Sequence, residues 1–379
     1  MSAGTIIIVA CEQSGDNYGA LLARELKALQ PDVRLAGIGG PGMAAAGVEL
    51  HTDMIEHAAT GLVEVLRSAR FFLRTMDAVV KLAIERKARA VVMIDSPDFN
   101  LRIAPKLKAA GIPTIYYVSP QLWGWRSSRV KIVKRAIDRM LVIFPFEVDW
   151  YRRHGVEASF VGHPMLDLFD PAAIREKGRA LRAALADDKP LIGLLPGSRR
   201  NEITRLLPVF LDAARLLKRE IPEARFAVGC APWLNDERAR EFLGQYTDVA
   251  AVALHDQTHE LMAAGDVLLA CSGTATLEAA LIGTPLIMAY KLSPLTYALA
   301  RPLISRKQFF CMPNRILNHA VAPELIQGEA TARALASCAQ VMLGERGKEA
   351  RQVFSRLESM LGGVGASQRA AQAVLSVAL

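Results

Sequence analysis

The sequence predicts an α/β protein built from two Rossmann-like, doubly wound domains that face a cleft. A chain of 379 residues with 51% hydrophobic content is too long for one ordinary core, because domains usually run about 100–200 residues. The β-branched run at 5–10 leads through a Gly/Ser/Asp turn into a helical pattern. The same β-turn-α order starts again at 191–198, so each half opens in the same way.

Apolar runs alternate in both halves with stretches long enough for crossover helices, as a parallel sheet requires. A polar, Ala-rich and charge-rich stretch at 167–189 separates the halves. We therefore expect domains at 1–166 and 167–345, followed by C-terminal helices at 346–379. Beyond the two opening strands, the expected strands lie near 33–38, 90–94, 114–118 and 139–143 in the first half and near 225–228, 249–254, 266–270 and 285–289 in the second.

The charge balance limits the classes of partner. Lys plus Arg exceed Asp plus Glu by 46 − 38 = 8, with a pI near 9.3, which favours nucleic acid, phosphorylated metabolites or an anionic membrane surface. No run of about 18 uncharged apolar residues occurs, which excludes a transmembrane span. The first ten residues lack the features of a secretory signal, so we expect a cytoplasmic chain. Five scattered cysteines without a C-x-x-C pair favour neither disulfides nor zinc.

Two turns between a strand and a helix in the second half are candidate phosphate sites, because amides at a helix start bind anions. One contains Ser198 and Arg199, whose guanidinium can hold a phosphate with several donors. The other contains Ser272, Gly273 and Thr274, with the carboxylate of Glu278 placed for a ribose diol. Each turn alone is equally typical of a capped helix. Together in one domain they favour a nucleotide diphosphate.

Two carboxylates follow a buried strand in the first half. Asp95 is at the strand tip, from which a side chain points into a cleft, and Asp98 follows three residues later. Either is a candidate general base, and one of them is expected to cap the next helix. Asp95, at the strand tip, is the better catalytic candidate, and Asp98 is the alternative. A Gly37–Gly42 match to the dinucleotide fingerprint follows the second strand instead of the first, so we interpret it as a glycine-rich turn. His255 and His259 lack a third metal ligand in the sequence.

A basic, partly apolar helix face predicts contact with an anionic bilayer. Val63 and Phe71 fall close to Arg67 around the helix, and Arg70 and Arg74 add positive charge. The opposite stripe, which includes Leu73, is expected to enter the core. An ordinary solvated face remains the alternative. A second basic stretch begins at Arg126, directly after the aromatic loop at Trp123, but no nucleic-acid-binding motif accompanies it.

With these residues in view, the chain closely resembles the lipid-A-disaccharide synthase family. The first turn departs from the family pattern, with Cys11 in place of Gly and Gln13 in place of a small residue. The order and spacing of several blocks over roughly 5–320 carry the resemblance: Glu12-Gln-Ser14-Gly-Asp16, Gly39–Met43, Ile94–Asn100, Tyr117–Pro120 with Trp123–Arg126, Pro145-Phe-Glu147, Gly162-His163, Leu194–Arg199, Ser272–Ala275 with Glu278, and Pro313-Asn314.

The resemblance implies a GT-B fold whose C-terminal helices pack back on the N-terminal domain, and a dimer that exchanges C-terminal parts. It implies an inverting transfer without metal or other cofactor: UDP-2,3-diacylglucosamine and 2,3-diacylglucosamine 1-phosphate give a β-1,6-linked disaccharide 1-phosphate and UDP. Such an enzyme would be peripheral on the inner membrane. A UDP-sugar 2-epimerase of the same fold, a dehydrogenase and a non-catalytic membrane module are the alternatives.

The resemblance also distributes roles among the candidate residues. Asp95 becomes the preferred base, with Asp98 as the alternative. The acceptor region comprises Glu12, Ser14, Asp16, Trp123 and Arg126, the nucleotide region comprises Ser198, Arg199, Ser272, Gly273, Thr274, Glu278 and Asn314, and the membrane face comprises Val63, Arg67, Arg70, Phe71 and Arg74.

Overall fold

The computed structural model describes residues 4–54, 65–124, 127–293 and 309–378, with the backbone alone at 65–70. The chain divides into two compact units, Met1–Phe169 with Leu361–Leu379, and Asp170–Met360. The expected boundary at 166/167 lies three residues before the division in the structure. Of the expected C-terminal segment 346–379, the part from Leu361 belongs to the first unit and the part before it to the second.

A seven-stranded parallel sheet forms the centre of the first unit. Its strands are β1 (Thr5–Val9), β2 (Arg34–Gly39), β3 (Glu49–Asp53), β4 (Ala90–Ile94), β5 (Thr114–Tyr117), β6 (Arg139–Val142) and β7 (Ala158–Phe160). They run side by side in the order β3-β2-β1-β4-β5-β6-β7. Every residue of β1 and β4 is buried, as their continuous Ile and Val content predicts for strands covered on both faces.

Helices cover both faces of this sheet. They are α1 (Gln13–Leu29), α2 (Pro41–Ala45), α3 (Val65–Glu85), α4 (Pro97–Ala109), α5 (Val130–Ala136), α6 (Pro145–Arg153), α7 (Met165–Leu168) and, from the chain end, α17 (Ala366–Ala378). Helix α17 packs against α1. The Asp167 carboxylate accepts hydrogen bonds from the amides of Gly365 (2.6 Å) and Ser367 (2.7 Å), which fixes the start of α17. The expected return of the chain end to the N-terminal unit is confirmed.

The second unit contains a six-stranded parallel sheet in the order β10-β9-β8-β11-β12-β13. The strands are β8 (Leu191–Leu195), β9 (Arg225–Cys230), β10 (Val252–His255), β11 (Val267–Cys271), β12 (Leu286–Tyr290) and β13 (Glu324–Ile326). The helices are α8 (Pro171–Leu185), α9 (Arg200–Glu220), α10 (Asp236–Gly244), α11 (Thr258–Ala264), α12 (Thr274–Ile282), α13 (Met312–Leu317), α14 (Ala332–Leu343), α15 (Glu345–Phe354) and α16 (Leu357–Met360).

The predicted fold class is confirmed, since both units are doubly wound parallel sheets. Every strand that the sequence predicted is present, although β10 begins at Val252 instead of 249. Strands β3, β7 and β13 were not predicted, and each lies at an edge of its sheet. In both units the strand order reverses beside the first strand, between β1 and β4 and between β8 and β11. Ligands of open α/β sheets bind at the carboxyl ends of the strands at these positions.

Candidate active site

The switch point of the first unit brings Glu12 and Asp95 into electrostatic contact. Glu12 follows β1 and is the N-cap residue of α1, while Asp95 follows the neighbouring strand β4. Burial, and then repulsion from the Glu12 carboxylate, raise the pKa of the half-buried Asp95 from an ordinary 3.8 to about 6. A carboxyl with this pKa is largely ionised at neutral pH and is more basic than a solvated aspartate. It therefore has the property that a general base requires.

Asp98 has different surroundings. It lies in the first turn of α4, and its exposed carboxylate forms an ion pair with Arg129. The fold thus separates the two candidate carboxylates: Asp95 is at the switch point, and Asp98 is engaged by a cation at the surface. This arrangement favours Asp95 as the base.

Asp16 binds backbone within its own unit. Its fully buried carboxylate accepts hydrogen bonds from the amides of Gly40 (2.8 Å), Gly42 (2.8 Å) and Met43 (3.0 Å). These amides belong to the glycine-rich turn between β2 and α2, which is thereby occupied by a side chain of the protein. Ser14, by contrast, is exposed at the start of α1.

Trp123 is fixed by a buried carboxylate to which the sequence reasoning assigned no role. The indole nitrogen of Trp123 donates to Glu147 Oε1 (2.9 Å), and the Ser119 hydroxyl donates to the same oxygen (2.6 Å). The amides of Ile143 (3.3 Å) and Phe144 (3.1 Å) donate to Glu147 Oε2. Burial raises the pKa of Glu147 to about 7. The sequence signal that could have identified Glu147 as a buried carboxylate is its place as a single acid beside an aromatic residue in Pro145-Phe-Glu147. Arg126 lies outside the described residues.

The switch point of the second unit joins the two turns predicted to bind a diphosphate. Gly197 has φ 112°, and a Cβ there would lie 2.6 Å from Glu202 Oε2 and 3.3 Å from Cys271 Sγ, so the turns after β8 and β11 are adjacent. The amides of Ser198 and Arg199 both donate to Glu202 Oε2 at 3.2 Å. The Arg199 side chain is 79% exposed. The guanidinium is paired with Glu202 Oε1 at 3.4 Å but is exposed to a ligand, whereas the two amides already donate to Glu202.

The turn after β11 is open. Gly273 is the N-cap residue of α12 and supplies no side-chain acceptor, so the first amides of α12 have no side-chain cap among the described residues. Ser272 and Thr274 flank Gly273, and both are accessible. Glu278, one turn further along, contacts His259 Nε2 at 3.3 Å, and this contact raises the pKa of His259. The helix start can accept an anion, and Glu278 presents a carboxylate close to it.

Asn314 forms hydrogen bonds with the segment between α13 and β13 and with β13 itself. Its Nδ2 donates to Ala322 O (2.7 Å) and Glu324 Oε1 (2.8 Å), while its Oδ1 accepts from the amides of Val321 (2.9 Å) and Ala322 (2.8 Å). All four hydrogen-bonding positions of the amide are filled. The structure thus places Asn314 as a support for this segment.

The proposed membrane face is only partly described. Val63 and the side chains of Arg67 and Arg70 lie outside the described residues. Phe71 is half-buried against the hydrophobic core, and Arg74 is exposed. Leu73, which the sequence placed in the core stripe, is 55% exposed, so that expectation was wrong. The rotation of α3 about its axis explains the exposure of Leu73, because Met76 and Val79 are the side chains that enter the hydrophobic core.

The described residues contain neither a cluster of metal-ligating side chains nor a membrane-spanning helix. Within 4–54, 65–124, 127–293 and 309–378, no three His, Cys, Asp or Glu side chains converge as they would around a metal ion. No helix in those ranges combines the length and apolarity needed to cross a membrane.

Two doubly wound parallel-sheet units in one chain are the architecture of the GT-B fold. Solved structures share this fold: a putative UDP-N-acetylglucosamine 2-epimerase from Listeria monocytogenes has a TM-score of 0.67, with 11% identity, over 99% of this chain and 96% of its own. Acinetobacter baumannii MurG has a TM-score of 0.60, with 14% identity, over 98% and 99%. At such identities the likeness concerns the fold alone.

The family is shown by sequence similarity. Residues 6–377 match the family model described as lipid-A-disaccharide synthetase. The lipid-A-disaccharide synthase of Trichlorobacter lovleyi is 41% identical over 374 residues, which cover 98% of this chain and 97% of the relative. The chain belongs to the lipid-A-disaccharide synthase family, and it is a glycosyltransferase of lipid A biosynthesis.

Proposed function

We propose that this chain transfers 2,3-diacylglucosamine from UDP to the 6-hydroxyl of 2,3-diacylglucosamine 1-phosphate. The acceptor oxygen forms a bond to the anomeric carbon as the bond from that carbon to the diphosphate oxygen breaks, with inversion from α to β. The products are the β-1,6-linked disaccharide 1-phosphate and UDP. Family membership supports the reaction type, and the basic carboxyl of Asp95 at a switch point is the observation that supports the mechanism.

In this proposal Asp95 takes the proton from the 6-hydroxyl. A pKa of about 6 leaves the carboxyl ionised at neutral pH while keeping it more basic than an exposed aspartate. Asp98 is less suited, because its exposed carboxylate is already paired with Arg129. Glu12, Ser14 and the Trp123 loop lie on the same carboxyl edge and are proposed to contact the acceptor sugar.

The second unit is proposed to hold UDP. The start of α12 provides the amides of Gly273 and Thr274 for the diphosphate, with the Ser272 hydroxyl beside them, since the Ser272 amide donates to Ala289 O (3.2 Å). The exposed guanidinium of Arg199 provides a cation. Both would stabilise the negative charge that develops on the departing UDP. Glu278 is proposed to accept hydrogen bonds from the ribose hydroxyls. Asn314 would act indirectly, by holding the segment before β13.

The enzyme is proposed to work at the surface of the inner membrane as a homodimer with exchanged C-terminal parts. Leu73 and Ile84 of α3 are 55% and 53% exposed. Eleven residues of helix turn them about 1,100°, so they point within about 20° of each other. Arg74 is exposed beside Leu73, and Arg67 and Arg70 belong to the same helix. Cations beside apolar side chains suit an anionic bilayer that carries acylated substrates.

The reaction is tested by incubating the protein with UDP-2,3-diacylglucosamine and the phosphorylated acceptor. Stoichiometric UDP and a disaccharide lipid are expected. Epimerisation of the UDP-sugar without UDP release would contradict the proposal. Asp95→Asn should abolish turnover and leave UDP binding intact, whereas the matched control Asp98→Asn should keep most of the turnover.

The membrane face has its own test. Leu73→Ser combined with Ile84→Ser should weaken sedimentation with vesicles that contain anionic phosphatidylglycerol. Val341→Ser is the control, because Val341 is 60% exposed but lies in the second unit. Equal vesicle binding by the double variant and the unaltered protein would contradict this face.

A further inference from the structure

The backbone at Asp95 and Ser96 is held in an uncommon conformation. Both residues are left-handed, with φ values of 47° and 42°, and neither is glycine. Val118, directly after the neighbouring strand β5, also has a positive φ of 61°. Such a backbone conformation is unfavourable for a residue with a side chain and persists only where the surrounding structure enforces it. The ends of β4 and β5 are therefore shaped by their neighbours.

Three hydrogen bonds fix the peptide groups of Asp95. Its amide donates to Tyr117 O at 3.0 Å, which continues the pairing of β4 with β5. Its carbonyl oxygen accepts from Asn100 Nδ2 at 2.7 Å and from the Tyr116 hydroxyl. Asn100 and Tyr116 are both fully buried, and Asn100 also donates to Ile94 O at 3.1 Å.

We propose that Asn100 and Tyr116 are positioning residues for Asp95. By donating together to the Asp95 carbonyl, they hold the Asp95–Ser96 segment in its left-handed form and keep the Asp95 carboxyl at the β1/β4 switch point, beside Glu12. This proposal rests on the proposed role of Asp95 as the base. Neither residue touches substrate. Each acts on the reaction through the place of one carboxyl group.

The packing requirement alone does not explain either side chain. A phenylalanine would fill the space of Tyr116, and leucine has the same number and branching of side-chain heavy atoms as Asn100, although its methyl groups are bulkier. A fully buried polar group is costly unless it forms a hydrogen bond, so a buried side-chain donor is expected where a particular acceptor is available to it. Here two such donors converge on one carbonyl oxygen, at the one residue whose basicity the reaction requires.

Neighbouring tyrosines supply a matched test. Tyr116 and Tyr117 are consecutive in β5, both fully buried, but the Tyr117 hydroxyl lies beside Ser367 of α17. Tyr116→Phe should lower kcat about 10- to 100-fold, the size expected for a catalytic group displaced by about 1 Å, with both KM values nearly unchanged. Tyr117→Phe, which deletes the same hydroxyl atom, should keep kcat.

The pH profile separates positioning from general destabilisation. If the carboxyl of Asp95 moves toward solvent in Tyr116→Phe, its pKa should fall from about 6 toward the ordinary 3.8, and the acid limb of kcat should move with it. Tyr117→Phe should leave that limb in place. Asn100→Leu removes both amide donors while keeping the number and branching of side-chain heavy atoms, and it should lower kcat at least as far. UDP binding reports that the second unit is folded.

The outcomes separate the two proposals. Equal kcat and equal acid limbs in Tyr116→Phe and Tyr117→Phe, with Asp95→Asn inactive, would overturn the positioning role and leave Asp95 as the base. Near-normal turnover in Asp95→Asn would overturn the assignment of the base and the positioning role with it. A selective loss in Tyr116→Phe with a displaced acid limb supports both.

Discussion

Replacing Glu12 with Gln should extend turnover to lower pH. Glu12 repels the ionised form of Asp95, and this repulsion is the second cause, after burial, of the raised pKa of Asp95. If Asp95 is the base, kcat rises with pH as its carboxyl loses the proton. Removing the negative charge of Glu12 stabilises ionised Asp95, so its pKa falls and the acid limb moves to lower pH.

The magnitude follows from the size of the perturbation. The change in the Asp95 pKa from 3.8 to about 6 corresponds to about 3 kcal/mol against the ionised form. Burial remains in the variant, so only part of this disappears. If the pKa falls by about one, a common effect of one nearby charge, the ionised fraction at pH 5 rises from about a tenth to about a half. We therefore expect about a fivefold gain in kcat at pH 5 and almost none above pH 7.

The assay is UDP release at saturating substrates between pH 4.5 and 8. Glu25→Gln is the control, because Glu25 lies on the same helix, thirteen residues or about 20 Å along its axis, beyond the range of unscreened charge interaction. Its profile should match that of the unaltered protein. An unchanged acid limb in Glu12→Gln would refute the reasoning, as would an equal shift in Glu25→Gln.

Three further substitutions test the other buried polar groups. Glu147→Gln replaces a carboxylate oxygen that accepts two hydrogen bonds with an NH2 group that cannot accept any, so the Trp123 loop should become less ordered. In initial-rate assays the KM for the acceptor should rise several-fold, and the KM for the UDP-sugar should stay unchanged. Asn314→Ala leaves buried amides without acceptors and should lower the free energy of unfolding by about 3 kcal/mol in urea titrations. Asp95→Asn should stabilise the fold above pH 6, by at most about 3 kcal/mol, and should have no such effect at pH 3.5. The reason is that a carboxyl whose pKa is higher in the folded than in the unfolded state destabilises the fold only when it is ionised. Thermal unfolding of both proteins at the two pH values measures this difference.

The centre of each sheet was predictable, whereas three of the four edge strands were not. Strands β1, β4, β8 and β11 are apolar throughout because they are covered on both faces, and the sequence shows this as uninterrupted apolar runs. Strands β3, β7 and β13 are edge strands of three to five residues, mostly half-buried or exposed. These strands are about as exposed as loops, and their amino-acid composition is therefore similar to that of loops. The hydrophobic pattern of the sequence alone does not distinguish them.

The candidate site was predictable only as far as strand order allowed. Asp95 stood out because a carboxylate directly after a buried strand must lie at the carboxyl edge of the sheet. The sequence favoured Asp95 over Asp98 only through its place at the strand tip, because the ion pair that engages Asp98 depends on Arg129, which lies 31 positions from it. Leu73 was assigned to the core from helical periodicity, which fixes the relative directions of side chains but not where the stripe meets the sheet.

The pattern of buried carboxylates sharpens the prediction of the phosphate site. Helix starts and glycine-rich turns bind anions through their amides, and a carboxylate of the protein can occupy the same donors. Asp16 does so at the turn before α2, Glu147 at the start of α6, and Glu202 at Ser198–Arg199. In each case the carboxylate lies more than two residues along the chain from the amides that it accepts from. A short sequence motif that contains only the amides therefore looks like a phosphate site, although those amides already donate to a side chain of the protein. The start of α12 has no such side-chain cap among the described residues, since its N-cap is Gly273. The two turns that the sequence treated alike therefore differ: the first offers the exposed guanidinium of Arg199, which is paired with Glu202 at 3.4 Å, and the second offers the start of α12, whose N-cap Gly273 supplies no side-chain acceptor.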